Sequence, residues 1–272
     1  MKPFLTLFSS ALLGALSVGL SHSLNVTVYD DRVSLPKTVA SGYVTFGLEN
    51  RSGGVYAHDI LRLKPGGDAE VVRGALSRFF SGRGSEDDFA ELMAHADKLV
   101  GGAVGTPPGG TREVGVNLTP GTYVVYADRI TGEGTQLRVS HTAVVTVTKA
   151  AEEHAAPEPD FTVPMADYAF ALPASVPAGT HLVRFTNVGQ ETHLGFVFEL
   201  PEGMTREEAV ARGGPVDWAT AQGVHALDAG EFTDVAMTFR PGRTYLFDCP
   251  IPNDEGIPHD AMGMTQFVTV PD

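Results

Sequence analysis

The chain is written twice. Pro120-Gly121-Thr122-Tyr123-Val124-Val125-Tyr126 matches Pro241-Gly242-Arg243-Thr244-Tyr245-Leu246-Phe247 with one residue inserted. The stretch before each turn alternates in step, Val114, Val116 and Leu118 against Val235, Met237 and Phe239. Strict alternation of this kind marks a half-buried β-strand. Upstream, Phe46-Gly47-Leu48-Glu49-Asn50 followed by His58 parallels Arg184-Phe185-Thr186-Asn187 followed by His193, and each copy ends on a Val-Thr-Val strand, Val145–Val147 and Val268–Val270. A chain built this way folds as two similar β-rich units, residues 24–148 and 160–272. The charged, Pro-containing stretch 149–159 reads as the linker.

Residues 1–23 read as a secretory leader: Lys2, an apolar run from Phe4 to Leu20, then the small residues Ser21 and Ser23. The run is too short for a convincing membrane span. The expected location is therefore outside the cytoplasm, in a periplasm, a cell envelope or the medium, with no stable membrane span once the leader is removed. The remaining length suits two domains of common size. A net charge of −14 argues against nucleic acid and anionic membrane surfaces as partners, since both need a basic footprint.

Each unit carries a helical insertion. Thr205-Arg206-Glu207-Glu208 fits a capping box, with the hydroxyl at the N-cap and the carboxylate three residues on. In the first unit, Ser85 precedes Phe89, Leu92 and Met93 at helical spacing, and the pattern predicts a helix running out to Leu99. All other segments are short strands and turns. The fold class is all-β: two tandem β-sandwiches with short helical insertions.

One cysteine stands in the whole chain, Cys249. Exported chains usually pair their cysteines, so a lone one is free and reactive, crosslinked to another chain, or a metal ligand. Cys249 is followed by His259 and Met264, and His193 lies on an earlier strand. A thiolate, two imidazoles and a weak axial thioether are what a blue-copper centre requires. Zinc also accepts His and Cys, but methionine as fourth ligand makes it the weaker choice.

With these residues in view, the second unit resembles the cupredoxins. Pro258-His259-Asp260-Ala261-Met262-Gly263-Met264 is similar to the ligand loop of pseudoazurins, and Asn187 sits where cupredoxins often carry an Asn before the first His ligand. The resemblance implies Greek-key sandwiches and one type 1-like redox copper held by His193, Cys249, His259 and Met264. It departs from the family in one respect: the nine residues Pro250–Pro258 separate Cys249 from His259, where a few are usual. A loop of that length could leave the site more open.

The first unit lacks the thiolate. Ala127 falls opposite Cys249, Gln136 opposite His259, His141 opposite Met264, and His58 is taken with His193. Two readings follow: a His-only second metal site of His58 and His141, or a hydrogen-bonded vestige. Trp218 and His225, in the second insertion, are candidates to lie over the ligand loop.

Two functions remain open. The chain is an electron-transfer or copper-handling protein serving a redox partner or a small oxidant or reductant, or it is a copper oxidoreductase, with superoxide dismutation ahead of nitrite reduction. Asp248 and Pro250 flank Cys249, so the histidines that would wire it to further coppers are missing. Acidic residues around the loop disfavour an anionic substrate. Oligomeric state is not readable from the sequence.

Overall fold

The computed structural model describes residues 22–78, 85–130, 137–211 and 217–272. All but the last two residues of the expected leader lie outside them. His22 and Ser23 already belong to the first strand.

The first unit comprises β1 (His22–Val28), β2 (Val33–Ser34), β3 (Thr38–Ala40), β4 (Gly42–Asn50), β5 (Val55–Leu63), α1 (Ala69–Arg78), α2 (Glu86–His95), β6 (Ala96–Leu99), β7 (Thr111–Leu118), β8 (Gly121–Ile130) and β9 (Leu137–Thr148). The second comprises β10 (Phe161–Ala166), β11 (Ala169–Phe170), β12 (Gly179–Asn187), β13 (His193–Glu199), α3 (Arg206–Ala211), β14 (Gln222–Leu227), β15 (Phe232–Phe239), β16 (Thr244–Asp248) and β17 (Thr265–Thr269). Their inward-facing Val, Leu and Phe side chains, Leu24, Val26, Phe46, Val116, Phe185, Val235 and Phe239 among them, form one continuous core. Burial of such side chains is the dominant favourable term in folding.

The two sandwiches share a layer. An eight-stranded sheet runs β11-β10-β12-β15-β7-β4-β1-β2, crossing from one unit to the other where β15 pairs antiparallel with β7. The five-stranded sheet β3-β9-β8-β5-β6 closes the first sandwich, and the four-stranded sheet β14-β13-β16-β17 closes the second. The second layer is also bridged, because Val100 and Ala103, just beyond β6, pair with Leu227 and Val224 of β14.

Polar groups hold the seam. Tyr43 of β4 crosses the shared sheet and donates its hydroxyl to Asp234 Oδ2 at 3.0 Å. Arg184 binds the same carboxylate in bidentate fashion, at 2.7 and 2.8 Å. The crossing needs glycine at position 115, since a Cβ there would stand 1.7 Å from the Tyr43 hydroxyl. On the other layer, Asp59 Oδ1 accepts the Ala226 N–H at 3.1 Å, and its second oxygen meets His225 Nδ1.

The expected capping box forms, Thr205 and Glu208 exchanging backbone and side-chain hydrogen bonds, and the structure adds a second one between Ser85 and Asp88. The helix beginning after Ser85 ends at His95, short of the expected Leu99. Ala96–Leu99 leave it to pair with β5, Leu63 with Ala96 and Leu61 with Leu99. Strand pairing that buries Ala96 outweighs helical periodicity there. Helix α1, which periodicity did not announce, lays Val72 and Leu76 into a small cluster with Leu61, Leu63, Val124 and Tyr126. No helix among the described residues is long and apolar enough to cross a membrane.

Candidate metal centre

His193 opens β13, Cys249 follows the last residue of β16, and Met264 immediately precedes β17. Strand pairing therefore brings three sequence-distant residues to one end of the second sandwich. His259 arrives by a loop that closes on itself. Pro252 pairs with Pro258, Asn253 N donates to Ile257 O at 2.9 Å, and Gly256 N donates to Asn253 O at 2.9 Å. Residues 252–258 thus make a small hairpin, and the chain re-enters where it left: His259 N donates to Ile251 O and Asp260 N to Cys249 O, both at 2.9 Å. The long spacing does not open the site. His193, Cys249, His259 and Met264 are each no more than 1% exposed.

The donor atoms converge. His193 Nδ1 and His259 Nδ1 lie 3.1 Å apart, and Cys249 Sγ lies 3.6 Å from His259 Nδ1. These three residues are the one group of His, Cys or acidic side chains among those described whose ligand atoms all lie within 4.8 Å of one another. Met264 is tied in by its backbone, which accepts from Cys249 N at 3.2 Å and donates to His259 O at 2.9 Å. Burial pushes the Cys249 thiol up to about 12, against the pull of the Leu194 and Ile251 N–H groups, the former 3.2 Å from the sulfur. A metal must displace that proton to bind. A soft buried thiolate with two imidazoles fits copper.

The outer nitrogens are also engaged. His193 Nε2 lies 3.2 Å from Asp167 Oδ1, and His259 Nε2 lies 2.8 Å from Glu191 Oε2. Each ring is therefore fixed with Nδ1 turned toward the other ring, and His259 Nδ1 also faces the thiol. Asn187 sets the entry to this end: its amide donates to Glu191 O at 2.7 Å and Leu227 O at 2.8 Å. Sequence reasoning missed Asp167 and Glu191, because only strand packing brings them to the histidines.

The first unit repeats the frame and corrects the alignment of His58. Asn50 makes the same two bonds as Asn187, to Gly54 O and Thr106 O, both at 2.7 Å. Six residues after each Asn stand His193, paired with Leu227, and Tyr56, paired with Thr106. Tyr56, not His58, occupies the place of His193. His58 takes the place of Gly195: a Cβ at Gly102 would strike His58 O, as one at Gly223 would strike Gly195 O. Ala127 lies between His58 on one neighbouring strand and His141 on the other.

No metal-type group gathers there among the described residues. His141 Nε2 lies 3.1 Å from Asp30 O, and its ring stacks on Tyr56 at 6.5 Å. His58 is fully buried with neither ring nitrogen hydrogen-bonded among those residues, and burial holds it down at about 4, hence neutral. Gln136 lies outside the described residues. Trp218 packs edge-on against Phe196 and Phe198, and His225 turns to Asp59 of the first unit, so neither covers the ligand loop.

No family model matches the chain, and no curated protein matches it. Among solved structures it is similar to reduced auracyanin from Roseiflexus castenholzii, 24% identical, covering 41% of this chain and 96% of that one with a TM-score of 0.31. It is also similar to the Cu-containing nitrite reductase from Thermus scotoductus, 12% identical over 92% of this chain and 61% of that one, TM-score 0.23. A third is the McoA multicopper oxidase from Aquifex aeolicus, 11% identical over 93% and 66%, TM-score 0.29. What this chain binds rests on its own donor atoms rather than on these likenesses.

Proposed function

We propose that this chain is an exported one-electron carrier holding a single copper between His193, Cys249 and His259, with Met264 as weak axial ligand. The observation that carries the reading is the closure of the donor group: four residues no more than 1% exposed, inside a preformed β-framework. Copper held by a thiolate and two imidazoles supplies a one-electron couple.

The protein's own residues do the rest. Leu194 N–H, 3.2 Å from the sulfur, steadies the thiolate charge. The paired backbone of Ile251 and His259 fixes the loop, so little has to move when an electron arrives. Burial keeps water and small solutes from the donors, which favours a carrier over an enzyme that must touch its substrate. Asp254 and Glu255, exposed on the hairpin, and a net charge of −14 repel an anion such as superoxide and favour a neutral or cationic redox partner.

The test is to load the purified protein with copper, count metal per chain and record the visible spectrum. One copper and an intense thiolate charge-transfer band, both abolished in Cys249→Ser, are expected. A colourless copper-loaded protein overturns the assignment. Superoxide consumption that depends on Cys249 overturns the carrier reading in favour of an enzyme.

A further inference from the structure

The acidic layer outside the two histidines has a role that the donor set alone does not require. Asp167 sits at the tip of the β10–β11 turn and Glu191 on the loop between β12 and β13. Asp167 Oδ1, besides facing His193 Nε2, accepts the N–H groups of Gln190 at 2.8 Å and Glu191 at 3.1 Å. Glu191 Oε1 accepts the Tyr168 hydroxyl at 2.6 Å while its other oxygen faces His259. The Tyr168 ring stands edge-on to His259 with centroids 5.1 Å apart.

Two costly backbone choices build this layer. Tyr168 has φ of 66°, the only non-glycine residue in the left-handed region among those described. Such strain persists only where the surroundings over-determine it, and it clusters at functional sites. Gly189 is the second. A Cβ there would stand 2.2 Å from Asp167 Oδ1 and 2.9 Å from His193 Nε2, so only glycine lets the loop close on the pair.

Resting on the copper reading above, we propose that Asp167 and Glu191 are positioning residues that clamp both histidine ligands from outside and hold the reduction potential of the centre down. A ring that donates Nε2–H to a carboxylate is locked in the tautomer whose lone pair sits on Nδ1, and it becomes a more basic ligand. Two carboxylates on the far sides of both rings stabilise the more highly charged oxidised state over the reduced one. Electron transfer here changes one charge at the metal and leaves the protons on Nε2 in place.

The test uses the copper-loaded full chain and its isosteric variants Glu191→Gln and Asp167→Asn. Metal stoichiometry and the visible band report whether the centre is intact; spectroelectrochemical titration reports the potential. Each amide variant is expected to keep one copper and the band, and to favour the reduced state by about tenfold, an upward shift of about 59 mV for one electron. Asp254→Asn removes an exposed charge that is not bonded to either ring and is expected to shift the potential far less. Tyr168→Phe removes the donor that partly neutralises Glu191 and is expected to move the potential downward, which also decides the matter should the amide variants fail to load. Unchanged potentials in intact amide variants, an equal shift in Asp254→Asn, or an upward shift in Tyr168→Phe overturns the clamp. A wild type without the visible band overturns the copper reading and the clamp with it.

Discussion

Val114 pairs with Val235, its own counterpart in the second repeat. Ala103 pairs with Val224, again its counterpart when each is counted from its unit's Asn-based frame. A pseudo-two-fold axis therefore passes through both layers at these self-equivalent pairs. The two units meet through the same strands on each side, as the protomers of an isologous dimer do. One layer becomes a single sheet at the join, which covers the β7 and β15 edges, and the other layer is bridged there by isolated pairs.

Gly115 lies beside that axis, beneath the Tyr43 hydroxyl. Gly115→Ala is expected to displace Tyr43 from Asp234 and to cost about 2 kcal/mol, the usual range for overpacking a closed core. Thermal unfolding should show one transition at lower temperature, with copper content per folded chain unchanged.

Asp234 takes three hydrogen bonds from two units, and its side chain is fully buried. Asp234→Ala leaves Tyr43 without its acceptor and Arg184 without its carboxylate. A loss of about 3 kcal/mol is expected, because breaking one side of a buried pair strands the other. Denaturant unfolding checks this, and the loss should exceed that of Glu70→Ala, which breaks only the exposed Glu70–Arg73 pair on α1.

Asp128 is buried at the join, with Asp59, His225 and Tyr126 as the titratable groups acting on it, and neither carboxyl oxygen finds a partner among the described residues. Burial, reinforced by Asp59, pushes it up to about 8. The folded chain then holds a proton that the unfolded chain releases between about pH 4 and pH 8, so this group subtracts stability as pH rises through that window. Asp128→Asn cannot ionise. Its melting temperature relative to wild type should climb from pH 5 to pH 8; a difference independent of pH would refute the assignment.

The hairpin from Pro252 to Pro258 carries none of the donors. Replacing Asn253–Ile257 with a two-residue Asn-Gly turn, which suits a tight hairpin, should preserve copper stoichiometry and the position of the visible band. Loss of copper uptake would show that the hairpin does more than close on itself.

Much of this was legible in the chain. The repeat, the alternating strands and the capping residues rest on local periodicity, which the sequence displays directly. That Cys249, His259 and Met264 share one loop between the last two strands was legible too. His58 was misaligned because a shared residue type drew it to His193. The frame set by Asn50 and Asn187 puts Tyr56 there instead, and only the hydrogen-bonded pairing reveals it. The length of the Cys249–His259 loop suggested openness, yet the Pro252–Pro258 bridge closes it, since backbone hydrogen bonds decide the path of a loop and its residue count does not. The joining of the two units through the Val114–Val235 pair and the Ala103–Val224 bridge, and the carboxylates of Asp167 and Glu191 behind the histidines, are contacts between segments far apart in the chain. Local propensity carries no information about such contacts; they follow from which faces the folded units must bury against each other.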